Sequence, residues 1–484
     1  MKHYVWSAGI AAAFAIAAVP VVAAHGQQRT AAQPGTRCII QFQGAPAGTT
    51  RSNSVQLPSG KYNVYVGGGF VGNCQGQPVT LRSDSAEYYG DLSLMYLIAN
   101  VHYSDPRAKV DADHMTYWME EEHIRADGNV YAVLASGTTM RGPVADYYRA
   151  VRPIRTQAIL VSTGRPKLRI VDRDTLTGKP TDTVDVVAER ITSIADSLVY
   201  AGGDVRITRP QLFATGDSAF LDKGSGLARL MRQPTVEARR SRPFTLTGGV
   251  IDVFSTNRLV NRVVAAPNGH ATSQDLQLRA DSVDMRIHNN ELERAMAWGK
   301  GRARATSPDR DILADSIDAL LPHQRIHQIR AVGDAYATGV PDSTAIKTED
   351  RDWIRGDTLI ATFDSVGRAD SAHTPPIKTI LAQTRARAYY HVKNDTEHDR
   401  PGINYVTGRD IDITFLNGGV DSVRVRDKAS GVYVAAIDTT TKAQRSDSGA
   451  APIGAANSSA KPTTPSAPAR PAPKTPAKTP VRKP

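Results

Sequence analysis

The stretch ADHMTYWMEEEHIRADGNVYA, residues 112–132, decides how the rest of the chain is read. Its second half places Ile124, Ala126, Gly128, Val130 and Ala132 at every other position, with polar or small residues between them. Successive side chains of an extended chain point to opposite faces, so this period predicts a strand with one apolar face. The same parity returns at Val199, Ala201, Gly203, Val205 and Ile207. It returns again at Ala295, Ala297, Gly299, Gly301 and Ala303, and at Ile329, Ala331, Gly333, Ala335 and Ala337. Met95, Leu97, Ala99, Val101 and Tyr103 form a less regular copy, and Ile380, Ala382, Thr384, Ala386 and Ala388 a degraded one.

Upstream of these copies a small residue and Asp open another alternating segment: Ala112-Asp113, Ala280-Asp281 with Val283, Met285 and Ile287, and Ala314-Asp315. Two strands and a turn fit the interval from each Asp to the repeat glycine. One such unit cannot bury its apolar row alone; stacked units can, as in other repeat architectures. Helical periodicity is scarce, and Lys223 to Gly226, Pro267-Asn268-Gly269, Asn289-Asn290 and Asn417-Gly418-Gly419 read as turns. The expected fold is therefore all-β, an elongated repeat jellyroll or solenoid.

The chain has 484 residues, 40% of them hydrophobic, 6% aromatic and 22% charged. That suits a core of Val, Ile, Leu and Ala. Lys2 and His3, the apolar run from Ala8 to Val19, and Val22-Ala23-Ala24 read as a signal peptide over residues 1–24, cleaved after Ala24, with a retained membrane anchor as the rival reading. Cys38 and Cys74 are the chain's two cysteines, and in an oxidising compartment such a pair is expected to form a disulfide. Arg37 makes a poor lipoprotein cleavage box before Cys38. The net charge of +11 rests heavily on Lys461, Arg470, Lys474, Lys478, Arg482 and Lys483 in a Pro/Ala/Lys-rich tail, residues 446–484, expected to be disordered. The body is then too weakly basic to argue for nucleic acid.

Alternation opened by Ala-Asp, a short turn, and the Ala-x-Gly-Asn-Val form at Ala126 to Val130 resemble the OstA-like family of periplasmic lipopolysaccharide-transport proteins, which includes LptA and LptC. Gly203-Asp204-Val205 and the segment opening at Ala280 are also similar, so the resemblance covers roughly Cys38 to Tyr433. It implies a V-shaped jellyroll, open at one side, whose apolar interior shelters acyl chains, with neighbouring proteins joined by edge-strand addition. It also implies a periplasmic location, possible association with the outer membrane, and a lipopolysaccharide or other envelope lipid as partner, self-association being a further possibility. This chain is longer than single-module carriers, and two modules are expected, residues 37–150 and 184–440, with 151–183 as a loop or linker.

The inner row names the expected lipid cradle: Leu97, Val101, Ile124, Ala126, Val130, Val199, Ala201, Val205, Ile207, Val283, Met285, Ile287, Ala297, Ala331 and Ala335. Repeated Ala and Gly on that row suggest unfilled space, although small residues facing large ones would serve equally. No catalytic residue, cofactor or metal is expected. Gly67 to Gly72 satisfies G-x-G-x-x-G, but no helix follows it, so a strand connection is favoured over a nucleotide loop. His323 and His327 would lie ~13 Å apart on a strand, too far to share a metal. Glu120, Glu121 and Glu122 read as a solvated turn. Asp84, Asp113, Asp281 and Asp315 could mimic the acid pairs of a polysaccharide-acting β-helix enzyme, the main alternative, but their recurrence in each unit favours turn and edge roles. A structural or adhesive repeat protein is the third reading.

Overall fold

The computed structural model describes residues 37–435, apart from 45–48, 174–179, 240–242, 257–258, 274–275, 342–345, 347, 365–374, 393–400 and 417–418. The expected signal peptide and basic tail lie outside the described residues, as do Asn417 and Gly418 of one expected turn. The protein is all-β. The described residues form 32 strands joined by hydrogen bonds into one network, and the only helical element among them is a single 3-10 turn, Pro322–Gln324.

The long repeat strands explain how this network folds back on itself. In His123–Leu134, residues 123–127 pair with residues 114–118 of Ala108–Trp118, whereas residues 131–134 pair with 108–111. Between them the register shifts, and Gly128 and Asn129 both take positive φ, 79° and 47°. Two successive left-handed residues turn the strand, so its two halves enter different layers while Ala126 and Val130 keep facing the same interior. Similar bends occur at Ala99-Asn100, Gly203-Asp204, Gly333-Asp334 and Thr384-Arg385. We call the layer holding residues 94–98 and 123–127 the first layer, and that holding residues 101–104 and 130–134 the second.

Asp281 opens Ser282–His288 as expected, whereas Asp113 and Asp315 lie inside Ala108–Trp118 and Arg310–Leu320. All three sit at the bends: a Cβ added to Gly128, Gly299 or Gly333 would strike Asp113, Asp281 or Asp315 respectively. Asn129 donates to Asp113 (2.8 Å), and Asn100 donates to Asp84 at an equivalent bend (2.7 Å). The recurring interval from Asp to Gly is thus the distance from one bend to the bend stacked on it. The repeat glycines belong to this spine and not to the wall of a cradle.

Where long strands give way to short ones, the layers remain continuous. Residues 144–148 of Thr139–Tyr148 pair with Ile159–Thr163, and residues 139–141 pair with Lys167–Arg173. The path through Arg190–Ile194 and the path through Pro180–Val187 rejoin on Leu198–Thr208. The stretch 151–183 is therefore not a linker; it carries strands of both layers, and Gly164, with φ 80°, supplies a tight reversal rather than a domain boundary. A second split leaves Leu212–Asp222 and closes on Glu291–Thr306 through Thr235–Ala238, Phe244–Thr247, Gly269–Ser273 and Gln277–Ala280 on one side. Leu227–Met231, Val250–Thr256, Leu259–Ala266 and Ser282–His288 form the other side. One buried cluster runs from Cys38 to Ile413 between the layers, with no break at the expected module border.

Candidate functional site

The space between the layers is not the same along the chain. Its fully buried aromatic side chains, Tyr103, Tyr117 and Phe70, and the fully buried Met95, Met115 and Met140 come from residues 70–140, while Leu246, Ile251, Ile317 and Ile411 are as fully buried farther along. Each such side chain contributes roughly 1.5–3 kcal/mol by leaving water. From Val199 onward the corresponding positions are mainly Ala and Val, as at Ala201, Ala214, Ala265, Ala297 and Ala331. Three cavities are lined mainly by this later part, the largest reaching back to Ile170 and Val184. The largest, about 420 Å³, is lined by Ile170, Val184 and Leu212 of the second layer and Leu221, Leu227 and Val253 of the first. A second, about 120 Å³, is lined by Phe244, Val260, Leu276, Ile287 and Leu292, and shares Arg209 and Leu212 with the first. The third, about 180 Å³, lies among Ile312, Ala337, Leu359, Phe363, Ile380 and Phe415.

At the amino-terminal end, a buried polar cluster joins the tips of the two layers. Glu122 is fully buried, contrary to the solvated role expected for the acid run. Its carboxylate accepts from the Cys38 backbone N–H (2.6 Å), the Tyr117 hydroxyl (2.5 Å) and Arg149 Nη1 (2.5 Å). Arg149 Nη2 donates to Gln77 (3.0 Å), and its Nε lies 3.7 Å from Asp105. Asp105 also accepts from the hydroxyls of Tyr103 and Tyr147, each at 2.9 Å. Burial pushes the Tyr103, Tyr117 and Tyr147 phenols well above the ordinary tyrosine range, so they stay neutral donors. The Cys38–Cys74 disulfide fastens the first described residues to the same corner.

All the expected cradle residues except Ile287 are buried, with Ile287 half-buried against the core, so the register read from the sequence is the register found. Their surroundings differ. Leu97, Val101, Ile124, Ala126 and Val130 lie in the filled part. Val199, Ala201, Val205, Val283, Met285, Ala297 and Ala335 face the interior of the later part, and Ile207, Ile287 and Ala331 line its cavities. Sequence reasoning missed Phe244, Val260, Leu276, Phe363 and Phe415. They sit on short strands or beside turns, where the repeat parity is interrupted, and their one signal is a large apolar residue next to a turn.

His323 and His327 are exposed, and among the described residues no group of three or more His, Cys, Asp or Glu could hold a metal. Gly67 to Gly72 joins Tyr62–Gly67 to Phe70–Cys74, as a strand connection should. No helix among the described residues is long and apolar enough to cross a membrane. No protein-family model matches the chain, and no curated protein sequence matches it.

Proposed function

We propose that this chain is a non-catalytic carrier of acyl lipid in the bacterial cell envelope, a periplasmic bridge or chaperone in lipopolysaccharide transport to the outer membrane. The observation that carries the reading is the series of apolar cavities between the two layers from Ile170 to Val420. Transfer of each CH₂ from water contributes roughly 0.8 kcal/mol, so an acyl chain needs no polar partner to be held there. The strands at each end favour the bridge form. Arg51–Gln56 and Ser430–Val434 each pair on one side among the described residues, and Val55, Val432 and Tyr433 are exposed on them. Such edges accept a strand from another protein or from a second copy.

Native mass spectrometry of the protein purified without detergent tests the reading. The expected spectrum contains adducts of acyl-lipid mass that disappear on solvent extraction and return when envelope lipid is added. A bare mass before and after lipid is offered would overturn it.

A further inference from the structure

The floor of the 180 Å³ cavity is apolar, and its polar groups gather at the strand ends of the second layer. There Arg310 lies across Gly339 from Asp352 on adjacent strands. Gly339 brings no side chain, and a Cβ built on it would meet nothing closer than the Asp309 carbonyl oxygen, at 4.0 Å, so a notch stands between the two charged residues. His391, with 1% of its side chain exposed, places Nδ1 2.7 Å from Asp352 Oδ1, which also accepts the His391 backbone N–H at 3.0 Å. The Tyr389 ring packs edge-to-face against the imidazole, 5.4 Å between centroids. An ionised carboxylate can only accept, so the Nδ1 proton is fixed toward Asp352 and the neutral ring keeps a lone pair at Nε2. Among the described residues Nε2 has no hydrogen-bond partner, and His391 lines the cavity.

We infer that this cavity binds an apolar chain bearing a hydroxyl, with the chain on the floor formed by Phe363, Ile380 and Phe415 and the hydroxyl donating to His391 Nε2. The inference rests on the carrier reading above and adds the polar chemistry recognised at one cavity. A buried acceptor without a donor is penalised, and a ligand hydroxyl relieves that penalty where a bare alkyl chain does not. Arg310 is paired with Asp309 (3.4 Å) and Asp352 with His391, so an ionic head group would enter without a free counter-charge. A neutral hydroxyl needs none.

Trp353 lines the same cavity, so quenching of its fluorescence by a chain with bromine at its tail reports occupancy at this site, read as the difference from Trp353→Phe. The full chain is titrated with 8-bromooctan-1-ol and with 1-bromooctane, which lacks the hydroxyl. Both are expected to quench. His391→Asn keeps an amide N–H where Nδ1 stood but removes Nε2; it should weaken the alcohol roughly three- to tenfold and leave the bromoalkane unchanged. His391→Gln, which carries an amide oxygen toward the position of Nε2, should bind the alcohol much as the parent does. Gly339→Leu fills the notch and should abolish quenching by both compounds. A histidine that only packs the strand end would move the two ligands in parallel. Equal changes for the two ligands in His391→Asn, the same loss of alcohol binding in His391→Gln, or quenching that survives Gly339→Leu would overturn the hydroxyl site and leave the carrier reading standing. Absence of quenching by either compound in the parent would overturn both.

Discussion

The part of the interior built by residues 70–191 and the part built by residues 199–420 share a backbone plan and differ in what fills it. Both use bent strands stacked bend on bend, both keep the same inward parity, and both belong to one buried cluster. In the first part Tyr, Met, Phe and Leu from facing layers meet, and Glu122, Arg149 and Asp105 seal the corner. In the second, small residues and wider splitting of the strands leave cavities open to solvent at the mouth. The same repeat can thus be filled or left with cavities, depending on side-chain volume and on how far the strands split. On the carrier reading proposed above, a lipid travelling along the whole chain would meet the filled part.

The largest expected effect lies in the filled part. Glu122→Gln leaves the buried Arg149 with Asp105, 3.7 Å from its Nε, as its remaining carboxylate, and losing the closer partner costs up to about 3–5 kcal/mol. Urea unfolding should show that loss. A change below about 1 kcal/mol would mean that water reaches the cluster and that the corner is not sealed.

Reciprocal volume changes sharpen the contrast next. Leu97→Ala, in the filled part, should cost about 2–5 kcal/mol, whereas Leu276→Ala, half-buried at a cavity, should cost about 1 kcal/mol. In the opposite direction, Ala126→Leu should destabilise by about 1–3 kcal/mol, while Ala228→Leu, on the wall of the 420 Å³ cavity, should be neutral or stabilising. Similar costs for Ala126→Leu and Ala228→Leu would erase the distinction between the two parts.

What the sequence could tell follows from the same physics. Strand parity is local, so the inward rows at Ile124 to Ala132 and Val199 to Ile207 were legible, and so was the pairing of two lone cysteines. Volume complementarity is not local. Nothing within Ala126 or Ala201 reveals whether a large side chain or an empty space lies opposite. Likewise, Glu122 looked like one of three solvated acids because its partners, Cys38 and Arg149, lie far away in the chain. The stretch 151–183 reads as a loop or linker for a related reason: its turns join strands whose pairing partners are distant.

The smallest effect belongs to the outer faces. Arg169, followed by Lys167, holds the Asp185 carboxyl at about 2, against an ordinary value of 3.8. The carboxylate form is therefore favoured by folding; its stabilisation is present above pH 3.8 and is lost as the pH falls to about 2. Because Arg169 is half-exposed, Asp185→Asn should cost no more than about 1 kcal/mol near neutral pH. The difference from the parent should vanish in urea titrations at the acid end. A cost that persists there would assign Asp185 to packing rather than to its ion pair.

Photo-crosslinking tests the contrast most directly. A benzophenone side chain is placed at Ala228 on the cavity wall, at Met115 in the filled part, and at Arg286 on the outer face, and the protein is irradiated in the presence of radiolabelled envelope lipid. Labelling at Ala228 with little at Met115 or Arg286 is the predicted result. Equal labelling at all three sites, or none at Ala228 while lipid co-purifies with the protein, would contradict the assignment of the later interior as the lipid-bearing part.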